Sequence, residues 1–131
     1  MIDKREKLYQ EIGEFIGAFI IDLNHLSEDG WSLLVEGHRD VKALRKLGFT
    51  GNPVTISTVG RRGTSALGKP KKVIILTDLD REGSVLASRY VKRLSHDGYR
   101  TSLRERLRMK IASRGVFLHV ENLSRFAHDD A

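Results

Sequence analysis

Residues 78–84, Asp-Leu-Asp-Arg-Glu-Gly-Ser, set three carboxylates and an arginine directly after the apolar run Val73–Leu76. Acids this close repel one another unless something positive sits among them. Asp78 and Asp80 are two residues apart, and in extended chain that spacing points both side chains the same way. Oxygens converging on one point make a site for a hard cation. Mg²⁺ needs few protein carboxylates and completes its shell with water or substrate phosphate oxygens. The pattern therefore points to a divalent cation, Mg²⁺ with Mn²⁺ as an alternative, assisted by Arg81 and a basic surface facing phosphate. A further acid, Glu36, ends a second apolar run, Trp31–Val35.

These acids need elements to position them. Leu8, Ile12, Phe15, Phe19 and Leu26 recur at helical spacing, which predicts one long amphipathic helix from Asp3 to about Leu26. Gly13 and Gly17 within it form a small-residue pair. The helix either covers a face of its own domain or pairs with a second copy, and core cover is the preferred reading. Residues 31–36 read as a buried strand, 40–47 as a short helix stopped by Gly48, 53–59 as a β-branched strand and 73–77 as a third strand. A helix over 83–95 follows, then a short extended piece at 99–101. Ser102-x-x-Glu105 has the form of a capping box and opens a helix to about Ser113, with Leu103, Leu107 and Ile111 as its inner stripe. Residues 116–120 read as a last strand, and the chain from Ser124 as a loose polar tail.

Strands alternating with helices predict an α/β domain around a mainly parallel sheet. Ligands bind such sheets at the carboxyl ends of the strands, where strand order reverses. The first and third strands are neighbours in the common doubly wound order, so Glu36 and the pair Asp78, Asp80 are expected at one edge.

Rival readings of the motif fit less well. An EF-hand starting at Asp78 would need a bidentate Glu at its twelfth place, which is Arg89. Gly63–Lys69 imitates a phosphate-binding loop, but Pro70 stands where Ser or Thr must hold the metal, and a strand follows instead of a helix. A receiver-like phosphoryl acceptor at Asp78 stays open as a weaker rival, because Glu36 alone fits its acid pattern poorly. A solvated acidic turn that caps the next helix accounts for Glu82 through the helix dipole. It leaves Glu36 unexplained.

Glu36-Gly37 within LLVEGHRD, followed about forty residues later by Asp78-x-Asp80-Arg81-Glu82-Gly83, resembles the Toprim domain of topoisomerases, bacterial-type primases, OLD-family nucleases and ribosomal-RNA maturases. The resemblance covers roughly residues 31–120 and is greatest to the small stand-alone Toprim proteins of archaea and some bacteria. It implies a Toprim-like Rossmannoid fold with a mainly parallel four-stranded sheet flanked by helices and an added N-terminal helix. The implied division is 1–30 as N-terminal extension, 31–122 as Toprim domain and 123–131 as C-terminal tail. It implies Glu36 as general acid or base at a phosphodiester, and Asp78 and Asp80 as Mg²⁺ ligands with Glu82 in support. Gly37 and Gly83 would allow tight turns beside the substrate, with Gly60 as a further family glycine.

The departures narrow the activity. Ser84 replaces the acid that follows Glu-Gly in topoisomerases, and Tyr9, Tyr90 and Tyr99 sit in helical or turn contexts that read as structural. The chain has no cysteine, which excludes disulfides, thiolate metal sites and a primase-type zinc module.

Its net charge is +6, which favours an anionic partner, with nucleic acid, RNA or DNA, the commonest large one. Arg61, Arg62 and Lys69 lie in the loop expected after the second strand, at the edge expected for the acids, and are the candidate phosphate contacts with Arg81. Arg104, Arg106 and Arg108 read as a solvated helix face. His25, His96, His119 and His128 show no ligand spacing, His38 reads as a surface residue at a helix start with substrate contact as the alternative, and Trp31 reads as core.

With 131 residues and 40% hydrophobic content the chain fits one domain. Its charged N-terminus and short apolar runs read as a cytoplasmic protein without a membrane span. The expected function is a Mg²⁺-dependent enzyme on nucleic-acid phosphodiesters, such as a nuclease in RNA or DNA processing. The alternative is a metal-dependent nucleic-acid-binding module that works with a protein partner, as monomer or as homodimer through the N-terminal helix.

Overall fold

The computed structural model describes residues 3–127. Residues 128–131 of the expected tail, and His128 with them, lie outside the described residues. The chain opens with helix α1 (Lys4–Glu28), capped by Asp3, whose carboxylate accepts the Glu6 amide at 2.8 Å. Strand β1 (Ser32–Val35) leads to α2 (His38–Lys46), and β2 (Pro53–Thr55) runs directly into α3 (Ile56–Arg62). A 3₁₀ turn at Thr64–Leu67 precedes β3 (Lys72–Ile75). Then follow α4 (Arg81–His96), β4 (Arg100–Ser102), α5 (Arg104–Ser113) and a closing 3₁₀ helix, Val120–Phe126.

The four strands form one sheet in the order β2-β1-β3-β4, and every pair is parallel. Parallel strands joined by helices put a layer on each face. Alternation along the strands divides the core accordingly. Leu33, Val35, Ile74 and Leu76 point to the face covered by α1, α2, α5 and the C-terminal 3₁₀ helix. Leu34, Val73 and Ile75 point to the face covered by α3 and α4, where Val59, Ala87, Tyr90 and Leu94 meet them. The chain leaves β1 toward β2 and returns across it to β3, so strand order reverses between β1 and β3. The carboxyl ends of these two strands carry Glu36 and Asp78.

Helix α1 buries Ile12, Ile16, Phe19, Ile20 and Leu23 in the same core as the sheet, so its apolar stripe serves its own domain. Among the described residues no helix is long and apolar enough to cross a membrane.

Four expectations need correction. The strand expected over 53–59 stops at Thr55, whose hydroxyl caps α3 by accepting the Thr58 amide. The sheet's fourth strand is Arg100–Ser102, and 116–120 is not a strand; it leads into the 3₁₀ helix. That helix is anchored by Val120 and Leu123, both essentially unexposed, so the chain beyond Ser124 stays packed as far as Phe126, which stacks on Tyr9. Finally, α5 is turned inside out. Leu103, Leu107 and Ile111 are exposed, at 39%, 57% and 68%, while Glu105, Arg106, Met109 and Ser113 face inward. Glu105 meets Ser102 as the capping pattern paired them, though side chain to side chain and with Leu103 as the N-cap, whereas the sequence pattern did not reveal the partner of Arg106, the distant Asp78 carbonyl.

Candidate metal and phosphate site

At the carboxyl edge between β1 and β3, the Glu36 side chain accepts the Asp78 backbone amide at 3.2 Å across 42 residues of sequence. Desolvation pushes the Glu36 carboxyl up to about 7. The hydrogen bond from Asp78 opposes that shift, and the negative charge of Asp78 adds to it. Beside it, the turn into α2 is held by Asp40, which is buried and accepts the Gly37 amide at 3.0 Å. Burial raises the Asp40 pKa as well, with the Asp78 charge contributing.

Asp80 is the N-cap of α4 and accepts the Gly83 amide at 2.7 Å on one oxygen. Asp78 accepts the Val120 amide at 2.8 Å on one oxygen, and its other oxygen lies 3.2 Å from His119 Nδ1. His119 Nδ1 is 3.9 Å from Asp80 as well. Asp78, Asp80 and His119 each offer a ligand atom, all within 4.8 Å of one another. One oxygen of each aspartate is thus fixed by the backbone while another faces a shared point. The hydrogen bond to Asp78 raises the His119 pKa, which favours the protonated ring as one positive group among these acids when no cation is bound.

Arg106 is the second. It is buried at 8% exposure, and its guanidinium donates to the Asp78 carbonyl at 2.6 Å and more weakly to that of Asp80 at 3.4 Å. Burial lowers its pKa, and the charges of Asp80, Glu36 and Asp78 oppose that. It braces the acidic turn from beneath. Gly83 closes the turn from the other side. A Cβ there would overlap the Asp78 carbonyl oxygen, and the Thr77 hydroxyl donates to the Gly83 carbonyl at 2.6 Å.

The other expected site residues lie as follows. Glu82 is exposed in the first turn of α4 and is not in the converging set. Arg81 begins the same helix, exposed. Gly37 has extended backbone (φ −153°), and both Gly37 and Gly60 have open space where a Cβ would stand, so only Gly83 is required by close approach. Arg61 and Arg62 are exposed at the end of α3.

Lys69 corrects an expectation. It precedes β3, so it lies at the amino edge of the sheet, opposite the acids, beside Lys71, which donates to the Asp97 carbonyl at the end of α4. The segment from Gly60 to Lys72 leaves one edge of the sheet and must return to the other before a parallel strand can begin. Tyr90 and Tyr99 are buried.

Sequence reasoning missed three contributors. His119 comes from a loop 39 residues beyond Asp80, with no local spacing to mark it. Arg106 was hidden in a helix read by its leucines. Only Asp40 had a signal, a carboxylate three residues after a glycine at a helix start.

The sequence matches the Toprim domain over residues 31–113. It is similar to UPF0292 proteins of archaea. Identity to that of Archaeoglobus fulgidus is 39% over 79 residues, 60% of this chain and 62% of that protein. Identity to that of Methanosarcina acetivorans is 28%, covering 89% and 83%, and to that of Thermococcus gammatolerans 31%, covering 80% of each. A solved structure of an Aquifex aeolicus protein superposes with a TM-score of 0.66 at 28% identity, covering 80% of this chain and 94% of that one.

Proposed function

Because the chain belongs to the Toprim domain family, we propose that it acts on nucleic-acid phosphodiester bonds, RNA or DNA, with a divalent cation held by Asp78 and Asp80. The observation that carries the reading is the convergence of Asp78, Asp80 and His119 beside Glu36. Two carboxylate oxygens aimed at one point suit Mg²⁺ or Mn²⁺, and an imidazole ligand from His119 shifts the preference toward Mn²⁺. Glu82, exposed in the first turn of α4 and outside the converging set, would support the cation only through water. When bound, the cation offsets negative charge that develops on a phosphate.

The chain's own residues do the rest. The Glu36 carboxyl, lifted toward neutrality by burial, can deliver a proton to a leaving oxygen or take one from an attacking hydroxyl or water. Arg106 and the Val120 amide fix the acidic turn so that Asp78 does not swing. Arg81, Arg61 and Arg62 are exposed cations suited to backbone phosphates without regard to sequence.

The test is incubation of labelled single- and double-stranded RNA and DNA with Mg²⁺, Mn²⁺ or EDTA. Cleavage is expected only with metal. It should fall by roughly 10²-fold or more in Glu36→Gln and in Asp78→Asn/Asp80→Asn. Metal-dependent binding without turnover on any substrate would instead establish a binding module that leaves cleavage to a partner.

A further inference from the structure

We propose that the groove between α1, β4 and α5 is a nucleotide-binding subsite, separate from the acidic centre. It is a cavity of about 540 Å³, in the range that small-molecule sites occupy.

Its charges do not cancel. The acid from α1, Asp22, is committed to Arg108 at 3.1 Å. The acid from α5, Glu105, accepts the Ser102 hydroxyl at 2.9 Å and keeps its charge, so the three arginines of the groove exceed its two acids by one. Arg104 and Arg100 also line the groove, and neither forms an ion pair among the described residues. The wall beside them is aromatic: Trp31 is half-buried, with the Arg100 guanidinium 5.4 Å and the Lys72 ammonium 5.3 Å from its ring centroid. The remaining wall is an open strand edge. β4 ends the sheet, and its Arg100 amide donates inward to the Lys71 carbonyl at 2.8 Å. Alternation then turns the Thr101 N–H and C=O outward into the groove, with no further strand to meet them.

Two guanidinium groups outside any ion pair among the described residues, one of them at the Trp31 ring, suit a phosphate. The indole suits a base, which stacks on it by displacing one of the two cations now over the ring. An outward donor and acceptor pair suits the polar edge of that base. A bare anion would use only the arginines, and an uncharged sugar would use neither arginine. A nucleoside phosphate uses all three features, either as a free nucleotide or as one unit of a single strand.

Trp31 is the only tryptophan in the chain, so its fluorescence reports on this groove alone. The experiment titrates the protein in EDTA with nucleoside monophosphates and with a short single-stranded oligonucleotide. Working without metal separates this inference from the proposed cleavage. We expect a saturable change in Trp31 emission, weakened roughly 10-fold or more by Arg104→Ala and unaltered by Asp78→Asn/Asp80→Asn. Arg104 is exposed, and a thermal melt confirms that its variant is folded. Saturation by the monophosphate at the oligonucleotide's midpoint identifies a free nucleotide. Response to the oligonucleotide alone identifies a strand-binding subsite. The proposal is overturned by no response to either probe. It is equally overturned by a response that survives Arg104→Ala unchanged, or by one abolished in the double aspartate variant.

Discussion

The Glu36 carboxyl sits where burial and a neighbouring carboxylate both oppose its ionisation, which is why it reaches about 7 from an ordinary 4.5. A group whose folded pKa is raised favours the folded state while protonated. Its contribution is fully present below about 4.5 and is lost as pH rises through about 7. Glu36→Gln removes that loss and keeps an oxygen to accept the Asp78 amide. In EDTA the variant should match the parent at pH 4.5 and melt higher at pH 8, by on the order of 1 kcal/mol once solvent screening is allowed for. Added Mg²⁺ should shrink the gap, because a cation draws the carboxyl pKa back down. Equal melting temperatures at both pH values in EDTA would contradict the raised pKa. Gly83 presents the complementary case of pure sterics. In Gly83→Ala the new methyl must displace the Asp78 carbonyl, whose carbon would lie 2.6 Å away. The expected cost is about 1–3 kcal/mol, with weaker Mn²⁺ binding by calorimetry. Parent-like affinity would mean that the turn yields without moving the ligands.

At the scale of elements, the residues around β1 and β3 were legible because local rules and topology agree there. Apolar alternation, a following acid and a parallel neighbour all place Glu36 and Asp78 at one edge. Helix α5 shows where such reading stops. Its leucines recur at helical spacing, yet the helix buries Glu105, Arg106, Met109 and Ser113. The decisive partners are distant in sequence: the Asp78 carbonyl receives Arg106, and the Phe15 and Phe19 rings lie under the Arg108 guanidinium, each 5.7 Å away. Helical period identifies a stripe but not which side of the helix the core will occupy. Paired substitutions decide the orientation by thermal or urea melts. Met109→Ala should cost about 2–5 kcal/mol, whereas Leu107→Ala should stay within about 0.5 kcal/mol. The reverse order would turn the helix back to the expectation from sequence.

Over the whole molecule, the site is assembled from the ends of β1 and β3, from α5, and from the C-terminal segment, so its geometry depends on closure of the entire chain. The segment from Phe117 to Phe126 makes that closure. The Leu118 carbonyl accepts the Leu79 amide at 2.6 Å, the Val120 amide donates to Asp78, and His119 lies between the two aspartates. Leu123, fully buried, fastens this arm to the core shared with α1 and α2. Residues 31–113 contain the acids with Arg106 and the Gly83 amide, but not the Val120 amide and His119 that hold the Asp78 carboxylate. Truncating Leu123 to Ala should therefore do two things at once. It should lower stability by about 2–5 kcal/mol. In the folded fraction it should weaken Mn²⁺ binding by roughly 10–100-fold, as loss of a supporting contact around a metal does. The neighbouring Ser124→Ala, whose hydroxyl bonds only to the Glu121 carbonyl among the described residues, should do neither. Calorimetric Mn²⁺ titration below the melting range separates the two effects. Lost stability with intact metal affinity would make the arm a packing element only. Loss of both makes it part of the site, and explains how one short domain holds three acids and a histidine at one edge of its sheet.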